Sequence, residues 1–206
     1  MDFFETTAKY AYRQSLKILT WRDLAVAFAI FIVSLLVGVI MRKQKGWKWK
    51  TVSYFSLLFP YIYLFFAIAV ISRQTVRNPR VELMPFWSYI KALRSDSKIL
   101  LWECVLNVFM FVPLGIGLQG LGVRKLRWVI LIAAIISYSI EFSQLLTKRG
   151  LFELFDDPFH NVLGAIIGFT LWRMIMKRCS EKSEGQAIRH VSYTHLRAHE
   201  TRSNLV

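Results

Sequence analysis

Five long apolar runs constrain this chain more than any other feature of its sequence. They cover residues 24–41, 52–72, 100–120, 128–146 and 159–176. The hydrocarbon core of a bilayer is about 30 Å thick and is crossed by about 20 residues of helix, so each run is long enough to span it. The sequence therefore predicts an all-α fold, a polytopic transmembrane helix bundle of about five spans.

The composition is that of a membrane protein. Hydrophobic residues make up 55% of the 206 residues, against roughly 45–50% in an ordinary soluble domain. The chain has 27 Lys and Arg and only 13 Asp and Glu, but the basic residues stand in short clusters between the apolar runs rather than on one soluble face. This distribution argues against a nucleic-acid partner and indicates membrane lipids.

The segments that flank the apolar runs are expected to be peripheral. Residues 1–23 mix Phe, Tyr and Leu with Lys and Arg, which predicts a helix lying on the membrane surface. Residues 24–178 would form the transmembrane domain, and residues 179–190 a basic and polar tail.

The last part of the sequence is interpreted differently. Residues 191–201, VSYTHLRAHET, resemble the translation of an adapter used to prepare sequencing libraries, so we expect residues 191–206 to be an artefactual translation. They contain His195 and His199, whose spacing on a helix is that of a pair of zinc ligands. In this setting the pair is interpreted as a chance match, and the sequence predicts no metal site and no cofactor.

The basic residues predict an orientation, because short loops rich in Lys and Arg stay in the cytoplasm. Residues 42–50 contain five such residues, residues 121–127 contain three, and the fifth run is followed by a basic segment. These segments are predicted to be cytoplasmic. Residues 73–98 and 147–157 would then lie outside, although the six basic residues of 73–98 and the basic N-terminus run against the rule.

Glu141 is an ionisable residue inside the fourth run. Such a residue costs roughly 2.5–3.5 kcal/mol on insertion scales and usually has a role. Ser137 and Gln144 stand four residues before it and three after it, so one face of this helix carries three polar groups. The face either serves a function or forms a structural hydrogen-bonded contact between helices. Glu141 is also close enough to the end of its run to reach the headgroup level.

Asn107 and Pro113 interrupt the third run. An amide in lipid needs a partner, so Asn107 is expected to point into the bundle. Pro113 removes one helical hydrogen bond and invites a bend. Together with the glycines that follow it, Pro113 indicates either a kinked, tightly packed helix or a functional site.

The fifth run begins with polar residues and continues with small ones. Gly164 and Gly168 form the small-xxx-small pattern that allows helix backbones to approach closely, and Asn161 lies on the same face. Asp156 or Asp157 is expected to cap this helix, with a proline in its first turn.

These positions converge if the predicted orientation holds. Asn107, Glu141, Asp157 and Asn161 would all lie near the outer side of the membrane, below an interfacial aromatic segment at residues 80–89. The sequence therefore predicts a polar pocket that opens to the exterior.

Four segments of the sequence, LNVFMFVPLGIGL, IEFSQLLTKRGLFE, DDPFHNVLGAIIG and LMPFWSY, resemble motifs of one family. It is the VanZ-like family of bacterial envelope proteins. LNVFMFVPLGIGL is similar to the family's N-x-x-x-F-x-P-L-G motif, and IEFSQLLTKRGLFE to its I-E-x-x-Q followed by R-G. DDPFHNVLGAIIG is similar to its D-D-x-x-x-N-x-x-G-x-x-x-G block, and LMPFWSY to its P-F segment. They cover residues 80–176 in the family's order, which is more specific than any single motif.

The resemblance implies a multi-pass protein of the bacterial plasma membrane, associated with resistance to teicoplanin and related glycopeptides. The implied ligand is a lipid-linked cell-wall component, a lipid headgroup or the amphiphilic drug. Residues 149–157 are one residue longer than the family pattern, which leaves the roles of Glu153 and Asp156 open. The residues to which the resemblance assigns a functional role are Asn107, Pro113, Glu141, Gln144, Arg149, Asp157 and Asn161.

Two alternatives remain open from the residues themselves. In the first, the chain is an enzyme in which Glu141 acts as general acid or base and Asp157 orients the substrate or a cation. In the second, the chain is a non-catalytic partner subunit that packs through Gly164 and Gly168.

Overall fold

The computed structural model describes residues 19–73, 75, 81–95, 98–149 and 152–203. Nearly all of this part of the chain is helical, and the prediction of an all-α fold is confirmed. The helices are α1 (Trp21–Lys45), α2 (Trp49–Phe66), α3 (Trp87–Ser95), α4 (Lys98–Gly120), α5 (Leu126–Thr147) and α6 (Asp156–Ser203). Two short strands, β1 (Val81–Glu82) and β2 (Phe152–Glu153), form a parallel pair of two residues each.

Five helices of the described part are long and apolar enough to cross a membrane, as predicted. Several of them extend beyond the apolar runs into the polar residues that flank these runs. The five spans are Trp21–Lys45, Trp49–Ile71, Leu100–Gly120, Leu126–Thr147 and Asp156–Cys179.

The first span shows how a polar residue extends a helix. The Thr20 side chain accepts a hydrogen bond from the Asp23 amide at 3.3 Å, while the Asp23 carboxylate accepts one from the Thr20 amide at 2.9 Å. This capping box satisfies amides that lack partners at a helix start. Residues 21–23, expected in the surface segment, therefore begin α1. Residues 1–18, on which the rest of that prediction falls, lie outside the described part.

The described core is formed by α2, α4, α5 and the start of α6 as far as Phe169. Phe65 of α2 packs edge-to-face on Phe111 of α4, with the ring centroids 5.2 Å apart. Val129 and Ile140 of α5 and Phe169 of α6 complete the same buried cluster. Outside this cluster most large apolar side chains are exposed, as expected for helices that are surrounded by lipid.

The helices α4 and α6 approach each other at backbone distance. A Cβ atom at Gly164 would overlap the carbonyl oxygen of Val108, and one at Gly168 would overlap that of Val112. The small-residue stripe therefore packs against α4 of the same chain. Pro113 lies inside α4 and its side chain is exposed.

The helix α6 continues to Ser203, but the chain divides into two compact units. The first ends at Phe169 and the second begins at Thr170. The predictions of a polar tail at residues 179–190 and of an artefactual segment at residues 191–206 stay predictions.

Candidate functional site: a carboxylate cluster at one end of the bundle

The centre of the site is a pair of carboxyl groups on neighbouring spans. Glu141 lies near the end of α5 and is only 1% exposed, whereas Asp157 lies in the first turn of α6 and is partly buried. Their carboxyl groups are within hydrogen-bonding range of each other. Two carboxyl groups hydrogen-bond only when one of them carries a proton, so this pair can hold one proton between its oxygens.

A third span contributes an amide to the same place. The Nδ2 atom of Asn107 on α4 donates a hydrogen bond of 2.5 Å to Oδ1 of Asp157. This bond is possible because Gly164, two turns after Asp157, allows α6 to touch the backbone of α4. The predicted convergence of Asn107, Glu141 and Asp157 is therefore present in the fold.

A second polar contact lies one helical turn deeper. Ser137 stands one turn before Glu141, and Asn161 stands one turn after Asp157. The Asn161 Nδ2 atom donates to the Ser137 hydroxyl at 2.8 Å, and both side chains are buried. The Asn161 Oδ1 atom has no hydrogen-bond partner. A buried acceptor without a donor is costly, so this oxygen is a position at which a ligand donor would be favourable.

Gln144 and Arg149 lie beside the cluster but contact the end of α2. The last turn of that span, Ala67–Ile71, is a π-turn, and its terminal carbonyl groups lack the usual partners. Gln144 Nε2 donates to the carbonyl of Ala69 at 3.1 Å, while Arg149 Nη1 donates to the carbonyl of Ile71. Their described hydrogen bonds therefore hold the end of α2 against the end of α5.

Asp156 binds a different helix from the one that it was expected to cap. Its Oδ1 atom accepts from the amide of Phe86 at 2.6 Å, and its Oδ2 atom accepts from the amide of Ser88 at 2.8 Å. Both amides belong to the start of α3, where Phe86 has a positive φ of 60°. Asp156 was one of two candidates for the cap of α6, and its carboxylate instead meets the free amides of α3.

Glu153 connects α3 to the carboxyl pair. Its amide donates to Oε2 of Glu141 at 3.0 Å, and its own Oε2 atom accepts from the Ser88 hydroxyl at 3.1 Å. Burial, and then the negative charge of Asp157, raises the pKa of Glu153 from 4.5 to about 7. Glu153 therefore titrates near neutral pH, next to the site.

Tyr89 and His160 form a further contact between α3 and α6. The Tyr89 hydroxyl and His160 Nε2 share a hydrogen bond of 2.6 Å, and the Nδ1 atom of His160 is buried without a partner. Burial, followed by the negative charge of Asp156, raises the pKa of Tyr89. Sequence reasoning did not include Tyr89 or His160 in the site. The position of His160, three residues after Asp157 on one helical face, was the available signal.

The family comparison covers the whole of this site. Residues 30–177, more than half of the chain, match the VanZ/LLP1 family model. The chain belongs to the VanZ/LLP1 family. This confirms the resemblance seen in the four sequence segments. No curated protein and no solved structure matches the chain.

Among the described residues of this VanZ/LLP1 member, the acidic groups do not form a recognisable metal centre. No set of three His, Cys, Asp or Glu side chains in the described part is arranged to hold a metal ion. The side chains of His195 and His199, the spaced pair of the sequence analysis, lie outside that part. The described chemistry is that of carboxyl and amide groups, which bind protons and hydrogen-bond donors.

Proposed function

We propose that this VanZ/LLP1 protein resides in the bacterial plasma membrane and lowers susceptibility to glycopeptides such as teicoplanin. Its carboxylate cluster would face outward and engage a lipid-linked cell-wall component or the amphiphilic drug itself. The proposal is carried by one observation, namely that Asn107, Glu141 and Asp157, from three different spans, meet at a single point.

A purely structural origin of this meeting point is less favourable. Buried charged groups add little stability compared with apolar residues of similar volume, because their desolvation offsets their attraction. In a membrane, ionisable residues of this kind line the pathways and binding sites of ions and substrates. The carboxyl pair is therefore better explained by a ligand than by helix packing. The glycines of α4 and α6 already allow these helices to pack closely.

The charge distribution supports an outward orientation of the cluster. A Cβ atom at Gly120 would overlap the ring of Tyr54, so the end of α4 lies beside the start of α2. The basic residues of 42–50 and 121–127 therefore share the end of the bundle opposite to Glu141 and Asp157. Short basic loops stay in the cytoplasm, which supports the proposal that the carboxyl groups lie on the outer side.

Drug susceptibility tests this proposal directly. Cells expressing the chain would be compared with cells expressing Glu141→Gln or Asp157→Asn, at equal amounts of membrane-inserted protein. We expect both variants to return teicoplanin susceptibility to that of cells without the chain, because an amide cannot supply the negative charge. Glu181 is an exposed carboxylate on α6. Glu181→Gln is therefore the matched control and should retain resistance. Full resistance in both site variants would refute the proposal.

An enzymatic role is a second candidate, and the proximity of the two carboxyl groups favours it. One protonated and one ionised carboxyl group can act as general acid and base in the same step. Lipid and cell-wall products from cells with wild-type protein and Glu141→Gln would separate the two roles. A product that depends on Glu141 would indicate catalysis, whereas identical products together with lost resistance would indicate binding alone.

A partner-subunit role has less support from the described contacts. Gly164 and Gly168, which would form the interface, are covered by Val108 and Val112 of the same chain. The stripe is therefore occupied within the bundle.

A further inference from the structure

The short helix α3 lies at the level where two spans begin. It ends at Ser95, shortly before the span Leu100–Gly120 begins. Its first amides are bonded to the carboxylate of Asp156, the first residue of another span. The start of a span stands at the boundary between the hydrocarbon and the headgroups. The helix α3 therefore lies at the membrane surface, at the acidic end of the bundle.

One side of α3 is apolar and exposed. Leu93 is 84% exposed, and Phe86, directly before the helix, is 52% exposed. Seven residues separate the two, close to two helical turns, so they share one side. The ring of Phe86 packs edge-to-face on that of Phe159, with the centroids 5.9 Å apart. Phe159 and Leu163 are exposed on the span of α6 and face lipid. The apolar side of α3 is therefore continuous with a lipid-facing surface.

The remaining sides of α3 have a different character. Ser88 and Ala92 are buried against the protein. Lys91 and Arg94 are exposed, and on a helix they point about 160° and about 100° away from Leu93. The helix therefore has a protein side, an apolar side and a basic side. This is the pattern of an amphipathic helix that lies in a membrane surface.

The protein side connects α3 to the carboxylate cluster. The Ser88 hydroxyl donates to Oε2 of Glu153 at 3.1 Å, and the Glu153 amide donates to Oε2 of Glu141 at 3.0 Å. One residue thus stands between the surface helix and the centre of the site. A force that fixes α3 also fixes the donor that Glu141 receives.

From these contacts we infer that α3 is a binding surface for anionic lipid, and that lipid bound there holds the Glu153 amide on Glu141. The apolar side enters the acyl boundary, while Lys91 and Arg94 bind the phosphate groups of the headgroups. A second copy of the chain could also cover an apolar surface. The contact with the lipid-facing Phe159 and the adjacent basic side favour lipid. This surface lies outside the carboxylate cluster, so the inference goes beyond the proposed function.

Fluorescence quenching in nanodiscs tests the apolar side. The exposed Cys179 is replaced by Ser, and the buried Cys104 is kept. A bimane label is attached at Leu93→Cys, or at Lys91→Cys as the matched control on the basic side. With lipids that are brominated in their acyl chains, we expect the label at position 93 to be quenched about twofold more than that at position 91, because the apolar side lies deeper.

Hydrogen exchange tests the hold on the site. The full chain is placed in nanodiscs of phosphatidylcholine alone or of phosphatidylcholine with phosphatidylglycerol. We expect the amides of α3 and of Glu153 to exchange at least about fivefold more slowly in the anionic lipid, as for one cation at a charged surface. Arg94→Gln should reduce this difference. Arg124→Gln, which removes an exposed cation at the opposite end, should keep it.

A further variant separates lipid contact from folding. Leu93 is mostly exposed, so Leu93→Ser leaves the core intact, and an unchanged unfolding temperature in detergent verifies this. In nanodiscs we expect the amides of α3 and of Glu153 to exchange about tenfold faster in this variant, because the apolar side loses most of its transfer into lipid.

Several outcomes would overturn the inference. Equal quenching at positions 91 and 93 excludes insertion of the apolar side. Cross-linking of two copies through position 93, without quenching by brominated lipid, identifies a second copy as the partner instead. Exchange of the Glu153 amide that responds neither to lipid charge nor to Leu93→Ser refutes the hold on the site. Selective quenching at position 93 together with lipid-dependent exchange of Glu153 supports both parts of the inference.

Discussion

At one end of the bundle Glu141 and Asp156 point into the protein, whereas at the other end the basic side chains point into solvent. Glu141 and Asp156 are 1% and 3% exposed and accept hydrogen bonds from other parts of the chain. By contrast, Lys43, Lys48 and Arg124 are exposed on the loops and helix ends of the opposite side. The two ends therefore differ in the sign of their charges. They also differ in whether the charged side chains are buried or exposed.

The difference follows from the shapes of the side chains. A carboxylate on a short stem cannot leave the bundle, so it must find donors on neighbouring elements. Lys and Arg have long stems that carry the charge to the headgroups, and their described contacts are local. Arg42 donates to the carbonyl of Trp47 at 3.1 Å and lies 4.6 Å from the ring of Trp49. The charged groups at the acidic end are accommodated by tertiary contacts. Those at the basic end are accommodated by residues nearby in the sequence.

The largest expected effect tests whether backbone packing holds the acidic end together. Gly164→Ala would place a methyl group on the carbonyl oxygen of Val108, which cannot move independently. We expect a loss of about 3–5 kcal/mol in the free energy of unfolding, from overpacking and from separation of Asn107 and Asp157. Unfolding in detergent, followed by circular dichroism, gives this value.

Gly120→Ala is the matched change at the basic end. There the methyl group would overlap Cγ and the adjoining ring carbons of Tyr54, so the whole side chain has to adopt another rotamer, whereas the backbone of α4 stays in place. We expect a loss of about 1–3 kcal/mol, partly offset by the better helix propensity of alanine. Equal losses for Gly164→Ala and Gly120→Ala would contradict the difference between the two ends.

A smaller effect is expected from the attachment of α3. Asp156→Ala removes the acceptor of the Phe86 and Ser88 amides, and we expect it to destabilise this attachment by about 2–3 kcal/mol. Hydrogen exchange of the amides of α3 should become faster by the corresponding factor. Arg42→Ala, which removes only local contacts at the basic end, should cost about 1 kcal/mol or less. Unchanged exchange in α3 would show that other contacts hold it.

The smallest effect concerns pH. The pKa of Glu153 is raised from 4.5 to about 7, so the folded protein holds this proton more tightly than the unfolded chain. The protonation of Glu153 therefore stabilises the folded protein fully below pH 4.5. This stabilisation is lost as the pH rises to 7. We expect about 1–2 kcal/mol, allowing for the solvent that reaches this half-buried group. Glu153→Gln should lack this part of the pH dependence in unfolding experiments from pH 4 to 8.

Several features of the site were predictable from the sequence because they depend on helix periodicity. Ser137, Glu141 and Gln144 share one face of α5 in the sequence and in the fold. The partners of these residues were not predictable. Gln144 contacts α2 because that span ends in a π-turn, and no residue pattern in the apolar sequence marked the π-turn.

The sequence by itself determined the family, the number of spans and the faces on which polar groups lie, since length, hydropathy and the 3.6-residue period are local properties. Only the tertiary structure decided which groups meet. Asp156 caps α3, Glu153 joins Ser88 to Glu141, and Tyr89 contacts His160. These pairings link residues far apart in the chain, and they depend on how α3 lies against β2 and the start of α6, which the one-dimensional pattern does not encode.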